Sequence, residues 1–187
     1  MAWNVIRVLY ENYDMDKREA EDLLDFVAMA TVCDVMSLTG ENRILVKEGL
    51  KRIRHTKNIG LQALMQACNV QPENISAYHF GYVLGPCVNA TGRLDTARHA
   101  LRLFETGQET EAEEIARDLV DLNQERKELT LQGVEMAKKL CEEGGYENDP
   151  VLVLFLPDVH ESIAGLIAGR IREMYNRPGF VLTRGEE

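Results

Sequence analysis

Asp34 is the first residue whose surroundings ask for chemistry. It stands in "DLLDFVAMATVCDVMSL", residues 22 to 38, a stretch that is apolar nearly throughout. On a helix, Ala28, Thr31, Asp34 and Ser37 are spaced by three and make one strip of small or polar side chains. Two readings follow. The helix ends near Asp34, and the carboxylate caps the next turn or reaches solvent. Alternatively the carboxylate is a hard oxygen ligand for Mg²⁺ or Mn²⁺, because a divalent cation offsets the cost of desolvating it. One carboxylate cannot hold such an ion, so the second reading needs ligands from elsewhere.

Two further constellations carry chemistry. In "LGPCVNATGRLD", Gly85, Pro86 and Gly92 predict a tight turn, with Asn89 and Arg93 four residues apart. A guanidinium fork on such a loop suits phosphate oxygens, and the structural alternative is an Arg93–Asp95 pair within the turn. In "PDVHESIAGLIAGR", His160 and Glu161 fall between a strand and the helix that opens near Ser162 or Ile163. That is the carboxyl end of a parallel strand, beside a helix N-terminus with orphan N–H groups. His55, His79 and His99 have no evident partners and read as surface or packing residues.

The elements that must position these residues are mostly helical. Helical spacing runs over residues 3 to 12 and 16 to 36, then over "TGENRILVKEGLKRIR" with Thr39 or Gly40 as N-cap, and over "NIGLQALMQACN" with Asn58 as cap. Gly81, Gly85, Pro86 and Gly92 make the next stretch irregular, and Gly-Pro argues against an uninterrupted helix there. From Glu109 to Cys141, Ala112, Ile115, Leu119, Leu122, Leu129, Ala137 and Leu140 keep the helical step. Such a helix spans roughly 50 Å, and its charged remaining faces suggest a spacer between lobes. After "EEGGYENDP" the period changes. "VLVLFL" reads as a buried strand, "SIAGLIAGRIREMY" as a helix and "RPGFVLT" as a second strand, which makes a βαβ unit.

Composition bounds the class. The chain has 187 residues, 45% hydrophobic and 28% charged, as expected of a globular protein. No run of apolar residues is long enough for a transmembrane helix, and the N-terminus does not read as a signal peptide. Four scattered cysteines without a CxxC pair argue against zinc or a disulfide framework and suit a reducing cytoplasm. A net charge of −10 excludes an indiscriminate nucleic-acid binder. The distribution is uneven, however. Six Lys/Arg and one acid lie between Arg43 and Lys57, against seven acids and one base between Glu105 and Asp121. These are two solvated helix faces, or the first is a phosphate-facing strip.

Taken in order, the three constellations resemble the RecJ-type single-stranded-DNA-specific exonucleases of the DHH phosphoesterase family. "DLLDFVAMATVCDVMSLTGENRILVKEGLKRI" resembles the last carboxylate motif and the helix after it. "LGPCVNATGRLDTA" is similar to the Gly-Pro-Arg-x-Asn-Ala-x-Gly-Arg motif. "HESIAGLIAGRIREMYNRP" resembles the opening of the DHHA1 domain, usually Trp-His-Glu-Gly. The departures are Cys87 for the first motif Arg, Val159 for Trp and Ser162 for Gly.

The resemblance implies a helix-rich α/β fold. Residues 1–57 would be the C-terminal part of a DHH domain and 58–108 an inter-lobe segment. Residues 109–142 would form a long connector helix, and 143–187 the N-terminal part of a DHHA1 domain with its first βαβ unit. It further implies that Asp34 is a catalytic metal ligand for Mn²⁺ or Mg²⁺, and that Asn89, Arg93, His160 and Arg170 contact single-stranded DNA or its phosphates. The implied activity is 5′-to-3′ single-stranded-DNA exonuclease action in DNA repair and recombination, by metal-activated water. No DHH triplet or Asp-x-Asp strand motif occurs in the chain. It is therefore expected to be an inactive fragment with an incomplete metal site, completed by the rest of the parent chain, and able to self-associate through truncated surfaces. The alternative is a non-catalytic single-stranded nucleic-acid-binding or scaffold protein of the same descent. A DHH phosphoesterase for short oligonucleotides or cyclic dinucleotides is disfavoured by "GPCVNATGRL" and the long connector.

Overall fold

Apolar residues at steps of three and four make nearly every element helical. The structure, a computed structural model, describes residues 2–94 and 96–185, without the side chains of Lys17, Arg93, Leu94 and Glu147. Helices α1 (Ala2–Asn12), α2 (Lys17–Glu21), α3 (Leu24–Cys33), α4 (Gly40–Arg52) and α5 (Ile59–Ala67) come first. A short α6 (Ala77–His79) leads through a π-helical segment (Phe80–Leu84) into α7 (Gly85–Leu94) and then α8 (Ala97–Glu105). The long α9 (Glu109–Gly144) is followed by β1 (Leu152–Phe155), α10 (Glu161–Tyr175) and β2 (Gly179–Leu182). Among the described residues no helix is long and apolar enough to cross a membrane.

The chain divides into two compact units, Met1–Asn89 with Ala97–Val120, and Ala90–Thr96 with Asp121–Glu187. In the first unit, α3 lies against α4 with almost no gap. A Cβ at Gly49 would come within 2.2 Å of the Leu24 carbonyl oxygen and 2.4 Å of the Ala28 Cβ, so only glycine allows this approach. The core gathers Ala28, Met29, Val46, Ile53, Leu61, Leu64, Phe80, Leu84 and Leu103, with Ile115 and Leu119 of α9. Each fully buried Leu or Ile contributes about 1.5–3 kcal/mol. Asn58 caps α5 as its position predicts. Its Oδ1 accepts from the Leu61 N–H at 2.9 Å, while its Nδ2 donates to the Phe104 carbonyl at 2.9 Å and ties α5 to the end of α8.

The acid that this core does bury is Asp25, 4% exposed. The Thr56 hydroxyl donates to its Oδ2 at 2.7 Å and the Phe26 N–H to its Oδ1 at 2.7 Å, so the carboxylate is not left bare.

In the second unit β1 and β2 pair in parallel, with Leu152 opposite Gly179 and Phe155 opposite Leu182. Leu152 and Leu154 of β1 meet Ile163, Ile167 and Ile171 of α10 and Val134, Ala137 and Cys141 of α9. The other side of the strands is not covered: Val153, Phe155, Phe180 and Leu182 are exposed. "VLVLFL" is therefore buried on alternate residues only, which a two-strand sheet with its helix on one face requires. Helix α9 is not a free-standing spacer, since its apolar stripe supplies core residues to each unit in turn.

Candidate functional site

The residue types singled out above sit at the ends and faces of a few elements. Helix α3 stops at Cys33, one residue before Asp34. Its end is a Schellman turn: the Met36 N–H reaches the Thr31 carbonyl at 3.1 Å and the Val35 N–H the Val32 carbonyl at 3.0 Å. The position that this motif usually gives to glycine is held by Val35, at φ 54°. A β-branched residue in the left-handed region is strained. Val35 is also 88% exposed, so no packing offsets the cost.

One expectation is corrected here: the strip of Ala28, Thr31, Asp34 and Ser37 does not continue past Cys33, because the turn redirects the chain. The local structure agrees with the first of the two readings above: the helix ends at Asp34, which is exposed together with Val35, Met36 and Leu38. Its carboxylate makes no hydrogen bond or ion pair among the described residues. A free hard oxygen donor of this kind fits a shared divalent-cation site as one ligand.

The second constellation is a helix, not a tight turn. In the π-helical segment the Gly85 N–H bonds to the Phe80 carbonyl five residues back. The wider turn relieves the clash that a proline ring makes with the carbonyl four residues behind it, so Pro86 is accommodated without ending the helix. This segment packs on the end of α3. The Cys33 thiol donates to the Phe80 carbonyl at 3.4 Å, and a Cβ on Gly85 would come within 2.4 Å of the Cys33 Sγ. Burial, and secondarily the Asp34 carboxylate, push the Cys33 thiol up from its ordinary pKa. The carboxylate turn and the start of the Gly-Pro motif are thus neighbours in one unit.

Along α7 the side chains diverge. Cys87 is buried, its thiol donating to the Val83 carbonyl at 3.2 Å and lying 3.8 Å from the Cys68 Sγ. Asn89 is exposed. Arg93 follows one turn later in the same helix, but its side chain, like Asp95, lies outside the described residues. The proposed Arg93–Asp95 pair lies outside them too.

Sequence reasoning passed over Tyr78 and Tyr82. Their rings stack with centroids 5.1 Å apart and planes 24° from parallel, and both are more than half exposed. The signal was their i, i+4 spacing immediately before the Gly-Pro motif.

In the second unit His160 is the N-cap of α10. Its Nδ1 accepts from the Ser162 N–H at 3.2 Å and pairs with the Ser162 hydroxyl at 2.6 Å. Ser162, which stands where the family motif has Gly, thereby fixes the imidazole. Arg170 lies on the third turn of α10, largely exposed, 3.7 Å from Glu173. Asp34 and Asn89 belong to one unit, His160 and Arg170 to the other. Among the described residues no three His, Cys, Asp or Glu side chains gather closely enough to hold a metal ion. The Asp-x-Asp that the chain does contain, Asp14 to Asp16, lies on no strand, and Asp16 caps α2.

With this geometry in hand, the chain compares as follows. It is 36% identical over 171 residues to the single-stranded-DNA-specific exonuclease RecJ of Haemophilus influenzae, covering 89% of the chain and 30% of that protein. It is 38% identical over 162 residues to the RecJ of Escherichia coli, covering 84% and 28%. The crystal structure of Thermus thermophilus RecJ in complex with Mg²⁺ superposes with a TM-score of 0.86 at 33% identity, covering 98% of this chain and 28% of that one. Exonuclease RecJ bound to manganese gives 0.81 at 32% identity, covering 98% and 46%. No protein-family model matches. The chain thus spans less than a third of the length of these curated relatives.

Proposed function

Over most of its length the chain is a homologue of the RecJ-type single-stranded-DNA-specific exonucleases, and we propose that it serves such an enzyme as a strand-holding part with one metal-ligating carboxylate. The observation that carries this reading is the superposition of 98% of the chain on Thermus thermophilus RecJ at a TM-score of 0.86. The reaction of the whole enzyme is hydrolysis of a phosphodiester from a 5′ end, in DNA repair and recombination in the cytoplasm.

Each residue has a defined task in this reading. Asp34 offers an oxygen ligand at the end of α3, for the Mg²⁺ or Mn²⁺ with which the related RecJ structures were crystallised. When bound, such a cation neutralises phosphate charge and acidifies water. Asn89 and Arg93, one turn apart on α7, hold the DNA backbone. The stacked Tyr78 and Tyr82 offer bases an aromatic face, which suits single strands because unpaired bases expose theirs. His160, locked by Ser162, and Arg170 contact phosphates from the second unit. The DHH and DHHA1 assignments of the regions either side of α9 belong to the same reading.

With one carboxylate of a shared site, the chain by itself is inactive. A second reading, a chain that holds single strands without cutting, is favoured by one observation: Cys87, where the family motif has Arg, is buried and faces the Cys68 thiol. Mn²⁺-dependent release of nucleotides from 5′-labelled single-stranded DNA tests the assignment of Asp34. No release is expected from the chain alone. Release that vanishes on Asp34→Ala would mean that the site is complete within it, and would overturn the shared-site account.

A further inference from the structure

We propose that the face of α4 carrying Arg43, Lys47, Lys51 and Arg54 is a track for the phosphate backbone of a single DNA strand, a site separate from the Asp34 turn and the α7 motif. The inference rests on the single-strand reading given above.

The four cations line one open groove of about 450 Å³ together with Leu38, Val46 and Leu50, and no acid lines it. Their positions, i, i+4, i+8 and i+11, keep them on one side of the helix and its 3₁₀ continuation (Ile53–His55). At helical rise, neighbouring cations are about 4.5–6 Å apart along the axis, comparable with successive phosphates of an extended strand. All four are exposed. The side chains of Arg43, Lys47 and Arg54 make no hydrogen bond or ion pair among the described residues, although Lys47 lies in the field of Glu48. Lys51 is engaged by Glu48 at 2.7 Å. Arg52, on the other side, is taken up by Glu21 and Asp22. Three of the four groove cations thus have no carboxylate within ion-pair reach among the described residues, while Lys51 keeps its Glu48 contact and Arg52 is paired on the flank.

The setting strengthens the point. On a chain with a net charge of −10, four cations on one groove make a local positive field against an acidic background, which favours an anion there over the rest of the surface. The floor is apolar, with Val46 buried and Leu38 and Leu50 beside it. A polyanion that also carries sugar and base surface matches both the cations and the floor. Leu38 places the mouth of the groove four residues along the chain from Asp34. A strand lying along α4 would therefore be led toward, or away from, the carboxylate turn.

The test is equilibrium binding of fluorescein-labelled oligo-dT across a series of salt concentrations. The unaltered chain is compared with a Lys47→Gln/Arg54→Gln double variant and with Arg98→Gln, a cation on α8 outside the groove. Unfolding curves confirm that all three are folded. Each lost phosphate contact on a single strand lowers the slope of log K against log salt by about 0.7, so the groove variant should lose about 1.4. Arg98→Gln should leave the slope unchanged. An unaltered slope and affinity in the groove variant would overturn the proposal and leave strand binding to other residues. An equal drop in Arg98→Gln would overturn it as well, since any surface cation would then do. No binding by the unaltered chain at low salt would remove the single-strand reading itself.

Discussion

The Cys33 thiol donates to the Phe80 carbonyl at 3.4 Å, which fastens the helix end before Asp34 to the π-helical segment before α7. Gly85 makes the contact possible by having no side chain. Gly85→Ala would drive a Cβ to 2.4 Å from the Cys33 Sγ. A loss of about 1–3 kcal/mol is expected from such overpacking, read as a lower urea midpoint. Cys33→Ala in the same background should recover only part of it, because the Cβ would also meet the Phe80 carbonyl oxygen at 2.5 Å. Additive effects would contradict the contact.

Val35 should be improvable. Its left-handed conformation costs about 1–2 kcal/mol for a residue with a Cβ, and glycine gives back about 0.5–1 kcal/mol of that in chain entropy. Val35→Gly is therefore expected to raise stability by up to about 1.5 kcal/mol, with no packing lost at a residue so exposed. A lower unfolding midpoint would mean that the turn does not hold this conformation.

The buried Asp25 depends on the half-buried Thr56, whose hydroxyl donates to it. Asp25→Ala should cost about 1–3 kcal/mol, while Asp25→Asn, which keeps an acceptor for the Thr56 hydroxyl, should cost less. Equal losses would show that the hydroxyl does not depend on that oxygen.

Stability should fall in acid partly through Glu111. The Arg102 guanidinium, and next the Thr106 hydroxyl, hold its carboxyl below the ordinary value. A depressed folded pKa gives stability that is complete above the unfolded pKa and is lost as pH falls through the folded one. Glu111→Gln should lower the melting temperature at neutral pH, and the gap should close as the pH drops below the carboxylate range. Added salt should shrink the neutral-pH gap, since the pair is at the surface. A gap independent of pH would contradict the role of the charge.

Much of this architecture is legible in the residues alone. The step-of-three-and-four pattern marks α9, and the change of period after Pro150 marks the parallel βαβ unit. Legibility fails where local chemistry overrides punctuation. Gly85-Pro86 reads as a break, yet a π-helical turn absorbs the proline and the helix runs on to Leu94. The apolar letters just after Asp34 read as a continuation of the core, yet Val35, Met36 and Leu38 are surface, because a Schellman turn ends α3 just before them. The truly buried acid, Asp25, looks no different in sequence. Asn89, Arg93 and His160 stand out by residue type and placement, but their assigned roles come only from the family resemblance, since exposed polar side chains such as Asn89 and His160 carry no burial signal.

Strand type is the most direct test of the whole account. The aromatic face of Tyr78 and Tyr82 can take unpaired bases but not those stacked inside a duplex, and each base held this way is worth about 1–3 kcal/mol. The measurement is the affinity of the chain for a labelled oligonucleotide, as a single strand and as a duplex of the same length, at one fixed salt concentration. Clearly tighter binding of the single strand is the expected result. Equal or tighter binding of the duplex would contradict a strand-holding role in a single-strand exonuclease.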